Sequence, residues 1–439
     1  MTKQVLCMNP GPIEFEARVL KQFSHEGISH VDKQVIEVFG QCIEKLRKVF
    51  LAPDGQPLVI AGSGTLGWDM VGANLLNHGD HVLVVNTGYF GDHFAECLER
   101  YGAKTTHVRA AVGSQPSVDE VTKALHAGTR YKVVTITHVD TSTGVLANVK
   151  ELTAAIRKAQ PHAVVVVDSV CALGGEELRM KDWDIDVVLT GSQKCVGVPA
   201  GLSLMMVRPR ALQVFEKCSS TSKYYVDWKN WLPIMKNYEA RQPSYFATPA
   251  VNHLFALNEG LTILLENGGM EKRFEEHKLI GVAVKDAMKA LGCSLVTVEG
   301  SGAHTLSCVR YPVGVGAADF LPKVVKRGVS LAGGLHKDIK TQYFRIGHMG
   351  PSTRRLDHVI KTVQAIEDAL IECGHEVKEK GKAAKIIKAL AKHGIPVKPC
   401  SSTDKVYHGC PVPARCQVYT VASLVAAMAA GFLLATLKK

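Results

Sequence analysis

Short apolar runs alternate with longer amphipathic stretches between Leu58 and Val207. The runs are rich in β-branched residues and apolar at consecutive positions: LVIA (58–61), HVLVVN (81–86), KVVTIT (132–137), AVVVVD (163–168), DVVLT (186–190) and SLMMV (203–207). Such runs, separated by helix-length segments, are typical of central strands in a mainly parallel sheet. The intervals 65–77, 91–101, 117–127 and 149–160 fit helices. The pattern therefore predicts an α/β fold.

From about Val251 to Cys373 the pattern changes to that of a smaller α+β domain. A helical stretch (251–291) precedes several short predicted strands and a final helix (355–372). The segments that contain or adjoin these strands are SLVTVEG (294–300), HTLSCVRY (304–311), KVVKRGVSLAGGLHKD (323–338) and YFRIGHM (343–349). We expect an N-terminal segment (1–20), a large domain (21–265) and a small domain (266–373).

Length, composition and charge narrow the class of protein. A chain of 439 residues suits two or three packed units, and 46% hydrophobic with 21% charged residues is ordinary for a soluble α/β enzyme. The net charge of +11 is uneven, because seven lysines and only two acids lie between Glu376 and Lys398. Without an arginine-rich helix or a zinc-knuckle spacing, this patch is weak evidence for nucleic-acid binding, and we expect no nucleic-acid partner.

Cysteine and histidine spacing gives no sign of disulfides or a metal site. The twelve cysteines contain no CxxC, and the N-terminus lacks the apolar run of a signal peptide. We therefore expect reduced thiols, with Cys171 and Cys195 as small apolar fillers. Because His138, His336 and His348 share no ligand spacing such as HxxxH, no metal is assigned.

Three features at strand ends carry the candidate chemistry. A glycine-rich turn (61–65) follows LVIA, and its N–H groups could hold a phosphate at a helix N-terminus, although such a turn alone is more often only a turn. Asp168 ends AVVVVD, where α/β sheets place ligands, although an isolated acid there is as often a helix cap. Lys194 follows DVVLT in an apolar, glycine-rich setting that favours a nucleophilic amine.

The acid, the lysine and the turn together are the set that pyridoxal phosphate requires. Asp168 would keep the pyridine nitrogen protonated, so that the ring can accept electrons. Lys194 would hold the aldehyde as a Schiff base, and the turn would hold the phosphate. The combination is much more specific than any one of its members, and it predicts a pyridoxal-phosphate enzyme.

Longer motifs sharpen this prediction. They are AGSGTLGWD (61–69), THVDTSTGVL (137–146), VVVDSVCALG (165–174), TGSQK (190–194), NYEA (237–240), YFATP (245–249), GGLHKD (333–338) and FRIGHMG (344–350). Through them the chain resembles the alanine–glyoxylate and serine–pyruvate aminotransferases, class V members of the fold-type I pyridoxal-phosphate enzymes, and most of all the fungal type. The resemblance covers approximately residues 5–372. It implies a mainly parallel seven-stranded sheet with helices on both faces and a smaller C-terminal α+β domain.

The resemblance also implies roles for individual residues. Lys194 matches the Schiff-base lysine and Asp168 the partner of the pyridinium nitrogen. Tyr245 and Thr248 match positions that reach a phosphate in the other subunit, so two complete sites would require a homodimer. The positions that match contacts to the phosphate within one subunit are Ser63, Gly64, Thr65 and Gln193.

Three further residues match positions around the ring and the substrate. Phe90 falls where the family stacks an aromatic ring on the cofactor, often a tryptophan. Ser142 matches a residue near the ring hydroxyl, although on local evidence it could simply cap a turn. Arg345 matches the arginine that pairs with the substrate carboxylate, a bidentate contact that suits a guanidinium. On local evidence alone, a surface salt bridge would be the default for Arg345.

The expected reaction is transamination from a small amino acid, alanine or serine, to glyoxylate, giving glycine and a 2-oxo acid. Without a recognisable second cation, the site should disfavour glutamate and aspartate. Serine–pyruvate and aminoethylphosphonate transamination stay open, whereas a cysteine desulfurase is less favoured because no flexible-loop cysteine stands out. A catalytically idle subunit of a membrane complex is another alternative. The intact set of Lys194, Asp168, Gln193 and Arg345 counts against it.

The tail beyond Gly374 has no counterpart in the family. Residues 374–417 form a basic linker, and four of its apolar residues share a helical face that could lie on an anionic membrane: Ala383, Ile386, Ile387 and Leu390. Residues 418–437 carry no charge, and a helix of that length spans about 30 Å, the thickness of a bilayer core. A buried C-terminal helix is the alternative.

The tail therefore predicts a C-terminally anchored enzyme that faces the cytosol. Mitochondrial outer, peroxisomal and endoplasmic reticulum membranes all fit. The alternative location is soluble, in the cytosol or the peroxisome.

Overall fold

The computed structural model describes residues 5–220 and 223–393. The α-helices of this part are α1 (Ala17–Phe23), α2 (Lys33–Val49), α3 (Leu66–Leu75), α4 (Tyr89–Arg100), α5 (Val118–Leu125), α6 (Val149–Ala159), α7 (Pro209–Glu216), α8 (Trp228–Glu239), α9 (Val251–Leu265), α10 (Gly269–Ala290), α11 (Ala317–Lys326), α12 (Leu356–Glu372) and α13 (Lys382–Ala389). The 3-10 helices are Gly350–Arg354 and Leu390–His393. The strands are β1 (Leu6–Cys7), β2 (Gln56–Ala61), β3 (His81–Asn86), β4 (Lys104–Arg109), β5 (Val133–Thr137), β6 (Val139–Asp140), β7 (Val145–Leu146), β8 (Val164–Asp168), β9 (Val187–Gly191), β10 (Leu202–Val207), β11 (Leu306–Arg310), β12 (Val329–Ser330), β13 (Ala332–Gly333) and β14 (Tyr343–Gly347).

A seven-stranded sheet forms the centre of the fold, in the order β2-β10-β9-β8-β5-β3-β4. β10 runs antiparallel to its neighbours β2 and β9, and the other neighbouring pairs are parallel. Every residue of β5, β8 and β9 is buried, which explains why these strands are continuous apolar runs. The predicted mainly parallel α/β sheet is confirmed.

The edge strand β4 was missed in the sequence because it has no apolar run. Its sequence is KTTHVR, and none of its residues is fully buried. It pairs with β3 on one side only. An edge strand needs little burial, so its composition gives a weak signal.

The C-terminal part of the fold is built around a small antiparallel sheet, in the order β11-β14-β13. The N-terminal strand β1 is tied to this part, because Leu6 and Cys7 pair in parallel with β12. Two large apolar clusters form the core, and α10 contributes Met270 to the first and Ile280 to the second. The predicted domain boundary at residues 265 and 266 stays a prediction.

Two details of the predicted C-terminal pattern were wrong. The stretch 251–291 is not one helix, because Asn267 and Gly268 have φ values of +53° and +97° and separate α9 from α10. A left-handed backbone of this kind is a usual helix end. The segment 294–300 is not a strand. In it, Leu295 forms an isolated bridge to Val309.

Helix α13 lies in the predicted basic linker, and its apolar face is already in use. Ala383 and Ile387 are fully buried in the second cluster, where α13 packs on α10 and α12, and Ile386 and Leu390 are half-buried against it. The expectation that this face lies on a membrane was therefore wrong. In the described part of the chain, no helix is both long and apolar enough to cross a bilayer. The predicted anchor at 418–437 lies outside that part.

Candidate active site

Lys194 lies in a tight loop between β9 and β10 and points into the fold. Ser192 fixes the loop, because its Oγ donates to Pro199 O at 2.8 Å and accepts from Leu202 N at 3.2 Å. Lys194 is 9% exposed, and its Nζ donates to the backbone carbonyl of Pro10. The amine is thus enclosed, with a backbone oxygen as its acceptor.

Asp168 ends the buried strand β8, beside β9, and is 4% exposed. Its Oδ2 accepts from Trp68 Nε1 at 2.8 Å and its Oδ1 accepts from Val170 N at 3.0 Å. Burial raises the pKa of Asp168 to about 6, although these two bonds and the nearby charge of Lys194 act in the opposite direction. The carboxylate is therefore held in place but only weakly compensated in charge.

The glycine-rich turn meets the end of β9. Ser63 and Thr65 are exposed just before α3, whose first three N–H groups are bonded to the carbonyls of residues 63–65. Among the described residues, the N–H groups of residues 63–65 themselves have no backbone partner and can serve an anion. A Cβ at Gly64 would lie 3.3 Å from the Cα of Gly191, so the turn contacts the loop that carries Lys194. Gln193 Oε1 is buried and has no hydrogen-bond partner among the described residues. Because a phosphate accepts hydrogen bonds, the group of Gln193 that could serve it is the amide N–H of the same side chain.

Ser142 and Phe90 lie on either side of a buried carboxylate, Asp140. Ser142 Oγ donates to Asp140 Oδ1 at 2.6 Å and accepts from Tyr89 N at 3.0 Å, and Phe90 N donates to Asp140 Oδ2 at 3.2 Å. The Phe90 ring is half-buried, 6.4 Å from the Trp68 ring. These contacts support the turn-capping interpretation of Ser142, and its role beside a cofactor stays a prediction.

Arg345 lies on β14 with its guanidinium turned to backbone carbonyls. Its Nε donates to Gly333 O at 2.7 Å and its Nη1 donates to Thr141 O at 3.3 Å. In the part of the chain that the structure describes, it forms no ion pair with a carboxylate, so the salt-bridge alternative does not hold there. A half-buried guanidinium with donors to spare is suited to an incoming carboxylate.

Tyr245 and Thr248 lie in the segment between α8 and α9. Tyr245 is 63% exposed, and its hydroxyl lies 3.4 Å from Thr248 Oγ1. Over the described ranges, no hydrogen bond links either side chain to the turn or to Lys194. Their predicted action across a subunit boundary stays a prediction.

An N-terminal strap, residues 8–13, was missed as part of the site. Gly347 N donates to Met8 O at 2.7 Å, which ties the strap to β14. A Cβ at Gly11 would lie 2.4 Å from Lys194 Nζ, so the strap crosses directly over the lysine. The proline pair Pro10 and Pro12 was the available signal, because such a segment is rigid.

Tyr343 and Trp68 were also missed. The Tyr343 hydroxyl accepts from Leu335 N and His336 N at 2.8 and 2.9 Å and donates to Ser142 O, so it joins the small sheet to the loop after β6. Trp68, in GTLGWD, holds Asp168. An aromatic residue in a buried strand or helix is most often only core.

The three histidines considered for a metal have other environments. Burial lowers the pKa of His138 to about 4 and holds that of His348 well below its usual range. His336 Nδ1 accepts from Asp338 N at 3.4 Å. No group of three or more potential metal ligands occurs among the described residues.

Comparison with known proteins identifies the family. The profile of the aminotransferase class-V family matches residues 17–347, most of the chain. The chain is a class-V aminotransferase.

Individual relatives agree with this assignment. The aminotransferase is 38% identical to alanine–glyoxylate aminotransferase 1 of Saccharomyces cerevisiae over 80% of this chain and 93% of the relative. It is 30% identical to alanine–glyoxylate aminotransferase of Drosophila melanogaster, over 82% and 92%. The crystal structure of ureidoglycine–glyoxylate aminotransferase from Bacillus subtilis matches with a TM-score of 0.81 at 27% identity, over 89% and 99% of the two chains.

The aminotransferase depends on pyridoxal phosphate, and the residues present fit that group. A carboxylate, an enclosed lysine and a turn at a helix N-terminus meet at one edge of the sheet. The Gln193 side chain lies beside the turn, and its amide N–H can donate to a phosphate. Lys194 would hold the aldehyde, Asp168 the ring nitrogen, and residues 63–65 with Gln193 the phosphate.

We expect Lys194→Ala to abolish steady-state transamination, because the variant lacks the enclosed amine that would hold the aldehyde and move the substrate proton. The protein should still fold and bind the cofactor non-covalently. Turnover and absorption spectra of the reconstituted protein measure both. Lys181→Ala, at a lysine away from these contacts, is the control. Retained turnover in Lys194→Ala is incompatible with the assignment.

Proposed function

We propose that this aminotransferase transfers an amino group from a small amino acid, alanine or serine, to glyoxylate, giving glycine and a 2-oxo acid. The observation that carries the proposal is Arg345, a half-buried guanidinium beside the candidate cofactor site with no carboxylate partner in the described ranges. Both substrates are small and carry the α-carboxylate that such a group binds. Relatives whose names give different amino donors, alanine and ureidoglycine, share glyoxylate in those names, which supports glyoxylate as the acceptor.

Three residues of the candidate site have distinct tasks in the proposed reaction. When bound, pyridoxal phosphate supplies a conjugated ring that stabilises negative charge at the substrate's α-carbon. Arg345 holds the substrate carboxylate in a fixed direction. Lys194 Nζ removes the α-proton and later returns a proton, first as a base and then as an acid. Asp168 holds positive charge at the ring nitrogen.

The strap over Lys194 supports a preference for small substrates. Pro10 O accepts from the lysine amine, and Gly11 lies so close that an added methyl group would overlap the lysine side chain. A substrate reacting at Lys194 must fit beneath this backbone. Alanine, serine and glyoxylate meet that condition better than long side chains do. A panel of amino donors tested against glyoxylate and pyruvate separates this proposal from serine–pyruvate transamination.

Arg345→Lys should raise KM and lower kcat/KM for alanine, because lysine keeps the charge but loses the planar, two-pronged contact. A loss of about 2–4 kcal/mol of transition-state binding is expected. Steady-state kinetics with alanine and glyoxylate measure it. Arg310→Lys is a matched control on the neighbouring strand β11, where the side chain bonds to Gln342 at the surface. An unchanged specificity constant in Arg345→Lys would place the carboxylate elsewhere.

The enzyme is proposed to act as a homodimer in which Tyr245 and Thr248 reach the other subunit's phosphate site. Support comes from the exposed Tyr245 and from neighbouring aromatic side chains: Tyr224 is 76% exposed, and its ring lies 5.6 Å from that of Phe246. Exposed aromatic clusters often mark interfaces.

Mixing two inactive variants tests the shared site. Lys194→Ala is combined with a Tyr245→Ala/Thr248→Ala double variant, and activity is measured at limiting cofactor after subunit exchange. If the residues act across the boundary, each mixed dimer has one intact site, and about a quarter of wild-type activity should return. No recovery, with mixed dimers present, contradicts the proposal.

The location of the enzyme rests on the sequence of 418–437. We expect full-length protein to stay in the membrane pellet on alkaline carbonate washing, because an uncharged segment of this length suits a bilayer core. A chain truncated before Val418 keeps α13 and should be released. Release of the full-length protein would show that the segment is not an anchor.

A further inference from the structure

Two hydrogen bonds hold the Asp168 carboxylate, and they differ in kind. The bond from Val170 N closes a local turn that any acid at position 168 could form. The bond from Trp68 Nε1 comes from a residue 100 positions away in sequence. Among the described residues, Trp68 is the one side chain that hydrogen-bonds to Asp168. The specific restraint on the carboxylate therefore comes from the indole.

The position of the Trp68 ring is fixed by packing. A Cβ at Gly67 would lie 3.0 Å from Leu189 Cβ, so a glycine at this position lets α3 pack closely on β9. The Trp68 ring stacks on Phe94 at 5.4 Å with an interplanar angle of 14°, and Trp68 is 6% exposed. With the helix and the ring both held, the N–H has a fixed direction, toward Asp168.

The ionisation state of the Asp168 carboxyl depends on its burial and on a few neighbouring groups. Burial favours the neutral carboxyl and raises its pKa to about 6; Asp140 acts in the same direction, and Lys194 in the opposite one. His138 donates its backbone N–H to Asp168 O, and burial lowers the pKa of the His138 ring to about 4, so this ring is neutral at working pH. A donor to the carboxylate favours its charged form.

We propose that Trp68 is a positioning residue: its indole N–H keeps the Asp168 carboxylate charged and aimed at the place of the cofactor's ring nitrogen. Each carboxylate oxygen can accept a second bond, so both oxygens retain capacity for a ring N–H. The inference rests on the proposed function through the role of Asp168.

The decisive variant is Trp68→Phe, which keeps an aromatic ring against Phe94 and removes the donor. Infrared titration of the cofactor-free protein measures the pKa of Asp168, and Asp168→Asn assigns the signal. In Trp68→Phe this pKa should rise by about one to two units, because the free energy of a hydrogen bond to a charged group corresponds to a shift of about that size. Trp228→Phe is the matched control, because Trp228 is fully buried and its Nε1 has no hydrogen-bond partner in the described part of the chain. It should leave the titration unchanged.

The pH profile separates positioning from a merely structural role. Catalysis needs the charged carboxylate of Asp168. A higher pKa of Asp168 in Trp68→Phe therefore moves the acid limb of the pH profile of kcat/KM to higher pH. Loss of packing alone would lower activity at all pH values without moving the limb. The proposal would be overturned if Trp68→Phe left both the acid limb of kcat/KM and the Asp168 pKa unchanged. It would also be overturned if Trp228→Phe shifted the Asp168 pKa as much as Trp68→Phe does.

A measurement on the unaltered protein keeps the proposal testable if Trp68→Phe does not fold. The indole N–H NMR resonance of Trp68 in the cofactor-free protein should titrate with a midpoint near that of Asp168, whereas the resonance of Trp228 should not. A Trp68 resonance indifferent to pH would refute the inference. Because no substrate is present, this result is independent of whether glyoxylate is the acceptor.

Discussion

The candidate site depends on a close contact between the start of α3 and the end of β9. A Cβ at Gly64 would lie 3.3 Å from Gly191 Cα, and a Cβ at Gly191 would lie 3.2 Å from Gly64 Cα and 2.7 Å from Gln193 Oε1. A larger residue at either position would push the turn away from the strand. Because the two glycines touch, the glycine-rich turn (61–65) lies beside the loop that carries Lys194. The same contact places Trp68 at the end of β8, the strand beside β9.

A second constraint joins the N-terminal strand β1 to the small antiparallel sheet and its neighbours. β1 pairs with β12, and Gly347 on β14 bonds to Met8, so the strap is carried by the C-terminal part of the fold. That same part supplies Arg345 and Tyr343, which donate to the backbone carbonyls of Thr141 and Ser142. In the proposed reaction, the large sheet would therefore provide the groups that face the cofactor, whereas the C-terminal part would provide the groups that enclose the substrate.

The sequence predicted those site residues whose positions follow from a local rule. Asp168 and Lys194 end adjacent buried strands, and parallel strands bring their carboxyl ends to one edge. The strap could not be found in this way, because Pro10 meets Lys194 across 184 residues and only tertiary packing decides that contact. Trp68 was missed for a different reason: its ring is part of the core, and its hydrogen bond to Asp168 is visible only in the structure. Helix α13 was misassigned because a basic helix with one apolar face suits a membrane and a domain core equally well.

Two buried carboxylates, one in the candidate site and one outside it, differ in how their charge is compensated. Glu176 lies next to His304, whose Nδ1 is 2.8 Å from Oε2, and it also accepts from Thr305 N at 3.1 Å. Although burial opposes it, the pKa of Glu176 is lowered to about 2. Asp168 forms no ion pair within the described chain, and burial raises its pKa to about 6. Since a weakly compensated buried carboxylate destabilises a fold, the burial of Asp168 without an ion pair among the described residues supports the proposal that it serves a bound cation. A protonated pyridine nitrogen would be such a cation.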